Sequence, residues 1–184
     1  MVFRVSIRAS LVARRAYRVG RAHFGSGVRY LRSLSAFTVI DFTIDIAPHG
    51  KGRPRAAAEG GKARMFTPTK TRRWESTFAL MAREHRPAEL LTGPLRVSIT
   101  AYFPRPLKMC KRSKRTGELL GGYDEGALPM ASRPDADNVA KSVLDALSDW
   151  YRDDSQVWYL IVMKFHHAIG DRPRVRVTVE GVGA

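Results

Sequence analysis

One stretch limits what this chain can fold into: Arg133–Gln156, RPDADNVAKSVLDALSDWYRDDSQ, followed at once by the apolar run Val157–Met163. Val139, Ala140, Val143, Leu144, Ala146 and Leu147 fall on one face of a helix. Pro134 holds the residue before it extended, so this helix starts after it, with Asp137 or Asn138 predicted as its N-cap. Val157–Met163 is β-branched, aromatic and aliphatic on both sides, which predicts a strand buried on both faces. A helix leading through a short turn into such a strand requires an α/β arrangement with a sheet at its centre.

The remaining periodicity fills in that sheet. Thr38–Ile46 alternates, with Ile40, Phe42, Ile44 and Ile46 to one side and Asp41 and Asp45 to solvent. Leu95–Phe103 alternates through Leu95, Val97, Ile99, Ala101 and Phe103, and Pro173–Val179 through Val175, Val177 and Val179. Thr69–Glu84 reads as a helix capped by Thr69 or Thr71, with Trp74, Phe78, Met81 and Ala82 toward the core. Pro48–Thr67 and Pro104–Ser132 read as loops, the first glycine- and arginine-rich, the second long enough to be functional or disordered. The predicted order is strand, helix, strand, helix, strand, strand: a small α/β (α+β) domain over residues 35–184, its mixed sheet packed by two helices. Residues 1–34 hold eight arginines and no acidic residue or lysine. They read as a presequence-like segment, a phosphate-tracking arm, or extra sequence ahead of the domain. The expectation is a poorly ordered tail with incidental DNA affinity.

The chain's 184 residues suffice for one domain with a core. Its net charge of +15 is spread over many segments, which points to a polyanion such as nucleic acid rather than an acidic small molecule. Its single cysteine, Cys110, excludes an internal disulfide and any CxxC metal site. No apolar run approaches a membrane span, so a soluble, intracellular protein with no membrane partner is expected.

Against this basic background the acidic pairs Asp135/Asp137 and Asp153/Asp154 stand out. A tight return after the helix is expected to bring Asp154 beside Asp135 and Asp137. Clustered carboxylates repel, and such a set takes up a hard cation, Mg²⁺ or Mn²⁺. That apparatus serves phosphodiester cleavage, with Lys141, one turn past Asp137, available to the transition-state charge. An EF-hand is excluded, because the sixth and twelfth loop positions are Ala140 and Ala146. A Walker loop is absent. His166 and His167 are adjacent on a strand and point to opposite faces, so they are poor partners for one metal. The basic segments Lys51, Arg53 and Arg55, and Lys70, Arg72 and Arg73, are candidate DNA contacts. The last three oppose the helix dipole, which suggests a phosphate at that helix start.

RPDADNVAKSVLDAL followed by DDSQV resembles the signature of the RusA family of Holliday junction resolvases, small dimeric endonucleases of bacteria and their phages. The resemblance runs from about Phe37 to Val179 and takes in GKGRPR (Gly50–Arg55) and TPTKTRRWE (Thr67–Glu75). It implies that Asp135, Asp137 and Asp154 are the catalytic, metal-binding carboxylates and that Lys141 is the catalytic or DNA-contacting lysine. Asp153 is implied as a neighbour in the site, and GKGRPR as a grip on the junction. It further implies a bacterial or phage-encoded cytoplasmic homodimer that resolves four-way DNA junctions in recombination and repair. Two other readings of the same residues are a non-catalytic nucleic-acid-binding protein and a nuclease acting on flaps, forks or RNA.

Overall fold

The computed structural model describes residues 37–53, 55–59 and 62–182; the arginine-rich segment 1–34 lies outside them. Five strands form one mixed sheet: β1 (Phe37–Ile44), β4 (Leu95–Phe103), β5 (Leu128–Pro129), β6 (Val157–His166) and β7 (Arg174–Val182), in the order β1-β7-β4-β6-β5. β4 and β6 are parallel and every other pair is antiparallel. Two helices, α1 (Thr69–Ala82) and α2 (Ala136–Ala146), complete the small α+β domain.

The core follows from the alternation. β4 buries Leu95, Val97, Ile99, Ala101 and Phe103, and β7 buries Val175, Val177 and Val179 on the same face. Phe78 of α1, Val139 and Val143 of α2, and Leu147 just after it are fully buried with them. The opposite face carries charged and aromatic side chains. There Arg176 makes a two-pronged pair with Asp41 (3.0 and 2.7 Å), and Arg174 lies 4.1 Å over the Tyr102 ring.

Several expectations are corrected. Pro48–Thr67 is not all loop: β2 (Arg55–Glu59) and β3 (Lys62–Phe66) pair antiparallel, which puts Arg55 on a strand. α1 has Pro68 at its N-cap position, and neither Thr69 nor Thr71 caps it. Thr71 is buried instead, where its hydroxyl accepts from the Gly52 amide at 3.2 Å. Met81 is exposed, because the buried stripe runs through Thr71, Phe78 and Ala82.

The largest correction concerns β6. It extends to His166, and it is not buried: Trp158 is 63 % exposed, Leu160 43 %, Ile161 36 % and Met163 43 %. β5, its outer neighbour, pairs only with Phe165 and His166. The stretch Val157–Lys164 therefore lacks a strand on its outer edge among the described residues. Apolar side chains on both faces of a strand identify a buried position only if neighbours cover both the faces and the edges.

Pro104–Ser132 is folded. It contains a short 3₁₀ turn (Leu107–Met109), a bridge between Arg112 and Leu119, and β5. No helix among the described residues is long and apolar enough to cross a membrane.

Candidate active site

The acidic motif is built at the start of α2. The helix begins three residues earlier than its apolar face suggested, with Asp135 rather than Asp137 or Asn138 in the N-cap position and extended (φ −68°, ψ 153°). The Asp135 carboxylate makes no capping hydrogen bond, and Asp137 sits in the first turn. Both are exposed. Their mutual repulsion is eased by the positive end of the helix. Lys141 donates to Asp137 Oδ2 at 3.3 Å, one turn along the same edge.

The turn that carries Asp135 is held from two sides. From β6, Lys164 Nζ donates to the carbonyls of Ser132 (2.8 Å) and Pro134 (2.7 Å). Lys164 is in register with Ala101 of β4, on the strand face that α2 covers. A lysine turned inward there requires acceptors, and the Ser132–Pro134 carbonyls supply them. From the other side, the Lys51 amide donates to the Asn138 carbonyl at 2.8 Å, laying His49–Arg53 across the first turn of α2. Gly50 is needed for that approach: a Cβ there would lie 2.3 Å from Pro134 Cβ. An open cleft results, lined by Lys51, Arg53, Arg133, Pro134, Asp135 and Asn138.

The Lys51 ammonium is engaged rather than pointed at the cleft. It is paired with Asp145 on α2 and lies 3.9 Å from Glu75 on α1. Burial raises the Glu75 carboxyl above its ordinary range, and the Lys51 charge opposes that rise. Lys51 thus joins the two helices, while Arg53 and Arg133 face the cleft with their charges exposed. Lys70, Arg72 and Arg73 are exposed on the first turn of α1, beside a shallow groove with Ser76 and Thr77.

Asp153 and Asp154 lie elsewhere. Asp153 caps a 3₁₀ turn (Asp154–Gln156) by accepting from the Ser155 amide at 2.8 Å, a bond that holds its carboxyl below the ordinary range. Gln156 completes the box: its Oε1 accepts from the Arg152 and Asp153 amides, and its Nε2 donates to the Leu91 and Gly93 carbonyls. This turn sits where β6 begins, by the C-terminal end of α2, since Leu91 is also bridged to Tyr151. α2 is 11 residues long and spans about 16 Å. The Pro134 carbonyl, next to Asp135 in the chain, is tied to Lys164, about 23 Å along β6 from Val157. The expected convergence of Asp154 with Asp135 and Asp137 does not occur within one chain. Among the described residues, no group of three or more His, Cys, Asp or Glu side chains could hold a metal ion. The tight return was misjudged because β6 runs back alongside α2, which leaves the two acidic pairs at opposite ends of the helix.

Two exposed carboxylates, Asp135 without a capping bond and Asp137 held by Lys141 alone, still suit a hard divalent cation. Mg²⁺ is commonly held by one or two carboxylates, with waters and substrate phosphate completing its sphere. Arg133, Asn138 and Asp145 belong to the stretch singled out in the sequence but were not among its candidate site residues, and Glu75 and Lys164 carried no expected role. Lys164 carried a usable signal, being a charged residue in strand alternation with Val162.

A mixed sheet with two helices on one face presents exposed Asp135 at the rim of a basic cleft, with Asp137 exposed one helical step further on. The family model for endodeoxyribonuclease RusA matches residues 45–180. The chain belongs to the RusA family, and with it to the DNA-cutting endonucleases. It is also similar to the uncharacterized protein YqaN of Bacillus subtilis (strain 168), at 38% identity over 146 residues, covering 79% of this chain and 98% of that protein.

Proposed function

We propose that this protein is a Mg²⁺-dependent, homodimeric endonuclease that resolves four-way DNA junctions during recombination and repair, in the cytoplasm of a bacterium or as a phage product. The observation that carries the reading is Asp135, exposed and free of any capping bond in a cleft with Arg53 and Arg133, with Asp137 exposed in the next turn of the helix. Bound there, Mg²⁺ (or Mn²⁺) would supply an activated water and a counter-charge for the scissile phosphate. Asp135 and Asp137 would hold the ion, and Lys141, kept near by Asp137, would meet charge on the phosphate. Arg53, Arg55, Lys70, Arg72 and Arg73 would bind the backbone, while Lys51 would act mainly by fixing the segment that bears Arg53.

The homodimer is supported by the free apolar stretch of β6, and it offers Asp154 a role. If two copies of Val157–Lys164 pair antiparallel about a two-fold axis, the start of one strand lies opposite the end of the other. Lys164, to which the Asp135 turn is tied, then faces the end from which the second copy's acidic turn projects. In this reading each site takes Asp135 and Asp137 from one copy and Asp154 from the other, with Asp153 as the cap that shapes the donated turn.

The test is cleavage of a labelled four-way junction with Mg²⁺ or EDTA, alongside flap, fork, linear duplex and RNA substrates. The expected result is metal-dependent paired nicking of the junction. Asp135→Asn should lose at least about 10²-fold in rate and keep junction binding. Metal-independent nicking, equal cleavage of all substrates, or a wild-type rate for Asp135→Asn would overturn the reading.

A further inference from the structure

Residues Leu107–Gly122 carry Lys108, Lys111, Arg112, Lys114 and Arg115 against one carboxylate, Glu118. Five cations in so short a segment repel one another, yet the segment is built as a defined hairpin. The Ser113 amide donates to the Glu118 carbonyl (2.8 Å), the Leu120 amide to Lys111 (2.8 Å) and the Gly117 amide to Ser113 (2.9 Å). Ser113 Oγ accepts from the amides of Arg115 and Thr116, both at 3.2 Å, and Gly117 supplies the positive φ (75°) that closes the turn.

The base of the hairpin is fastened by two arginines. The Arg105 side chain is buried and donates to the carbonyls of Asp124 (2.5 Å) and Gly126 (2.9 Å). Arg112 donates to the Gly117 carbonyl and pairs with Glu125. The other four cations are exposed, and among the described residues none has a carboxylate partner. A fold that fixes a backbone in order to present unpaired charge points to a ligand of opposite sign.

The hairpin also stands at the Asp135 end of the sheet. Its base is tied by the Ile169 amide, donating to the Glu125 carbonyl, to the turn after β6. From there β5 pairs with Phe165 and His166, the Met130 amide donates to the Lys164 carbonyl, and the chain runs through Arg133 into Asp135. The apex, Ser113–Gly117, has no large apolar or aromatic residue of the kind that anchors a protein partner.

We propose that this hairpin is a DNA clamp: Lys111, Lys114 and Arg115 bind the phosphate backbone of a duplex arm leading away from the cleaved strand at Asp135. The inference rests on the nuclease reading above. Its test uses the full-length protein, a labelled four-way junction and a labelled linear duplex, each titrated over a salt series. The variants are Lys111→Ala/Lys114→Ala/Arg115→Ala and the charge-keeping Lys111→Arg/Lys114→Arg. The alanine variant should bind both DNAs roughly 10-fold or more weakly near 100 mM salt, with a log K against log salt slope shallower by about 3. Its cleavage rate at saturating protein should stay within about 2-fold of wild type, and the charge-keeping variant should match the wild-type slope. An unchanged slope in the alanine variant, or an equal loss in the charge-keeping variant, overturns the clamp. If the wild-type protein neither binds nor cuts DNA, the nuclease reading fails first. If it cuts normally and the slope does not move, the clamp alone fails.

Discussion

Lys164 is the residue on which the candidate site leans most. Its ammonium satisfies two carbonyls of the turn that ends at Asp135, and no other charged side chain donates to them among the described residues. Hydrogen bonds from a charged group contribute about 1.5–3 kcal/mol each. One of these two bonds is exposed and the other only partly buried, so Lys164→Met, which keeps the apolar stem and removes the donors, should destabilise the fold by less than their sum, about 1–3 kcal/mol in urea unfolding. Cleavage should slow at least about 10-fold even where the protein is fully folded, because Asp135 loses its fixed position. Ser142 presents the converse case. It is fully buried on α2, and its hydroxyl finds no partner among the described residues. Ser142→Ala removes an unmet polar group, and its Tm should be equal to or above that of wild type. Asp41 sets a pH dependence. The Arg176 hydrogen bond, opposed by partial burial, holds its carboxyl below the ordinary value in the folded state. A carboxyl lowered on folding contributes stability above its unfolded pKa and loses it as pH falls through the folded pKa. Asp41→Asn should thus be less stable than wild type at pH 7, with the difference vanishing in acid. Both partners are solvent-accessible, so the difference should stay under about 1 kcal/mol.

At the scale of elements, what the sequence disclosed depended on whether a pattern answered one question or two. The alternation of β4 and β7 specified a strand and also which face is buried, because Val97, Ile99, Val175 and Val177 alternate with polar residues. β6 has no such alternation, so its apolar run specified the strand but not its surroundings; the shortness of β5 decided those. The start of α2 was misplaced for a related reason. Apolar spacing begins at Val139, whereas the helix begins at Ala136, in a turn whose residues are polar for the sake of the site. Asp135 and Asp137 stood out as candidates because carboxylates are scarce in so basic a chain. The supports beneath them were not, since Lys164, Asp145 and Glu75 are ordinary residues until the fold brings them near. The bare edge of β6 makes its own prediction. Ile161→Lys puts a charge on an edge strand that is already solvent-exposed, so unfolding stability should change by no more than about 0.5 kcal/mol. Sedimentation should nonetheless show a shift from dimer to monomer, and junction nicking should fall with it. A dimer that survives this change would remove β6 as the interface.

For the whole molecule, the decisive matter is how many chains make one site. Asp135 and Asp154 occupy opposite ends of α2, roughly 16 Å apart by helix length alone, and no metal-binding group of three forms among the described residues. On the proposed reading a monomer offers two half-sites, and a two-fold pairing through β6 would join each half to its complement from the other copy. Mixing two inactive variants distinguishes this arrangement from a site within one chain. Asp135→Asn and Asp154→Asn are each expected to lose at least about 10²-fold in nicking as homodimers. In a mixed dimer with shared sites, one site carries both substitutions and the other carries neither. Co-refolded or co-expressed variants should then regain single-strand nicking at a sizeable fraction of the wild-type rate, while paired resolution of the junction stays lost because one site is dead. If each site belongs to a single chain, every site in the mixed dimer has one defect and nicking stays at the level of the separate variants. The ratio of nicked to fully resolved product thus reads out the architecture directly, and a mixture no more active than its parts would return Asp154 to a role apart from Asp135.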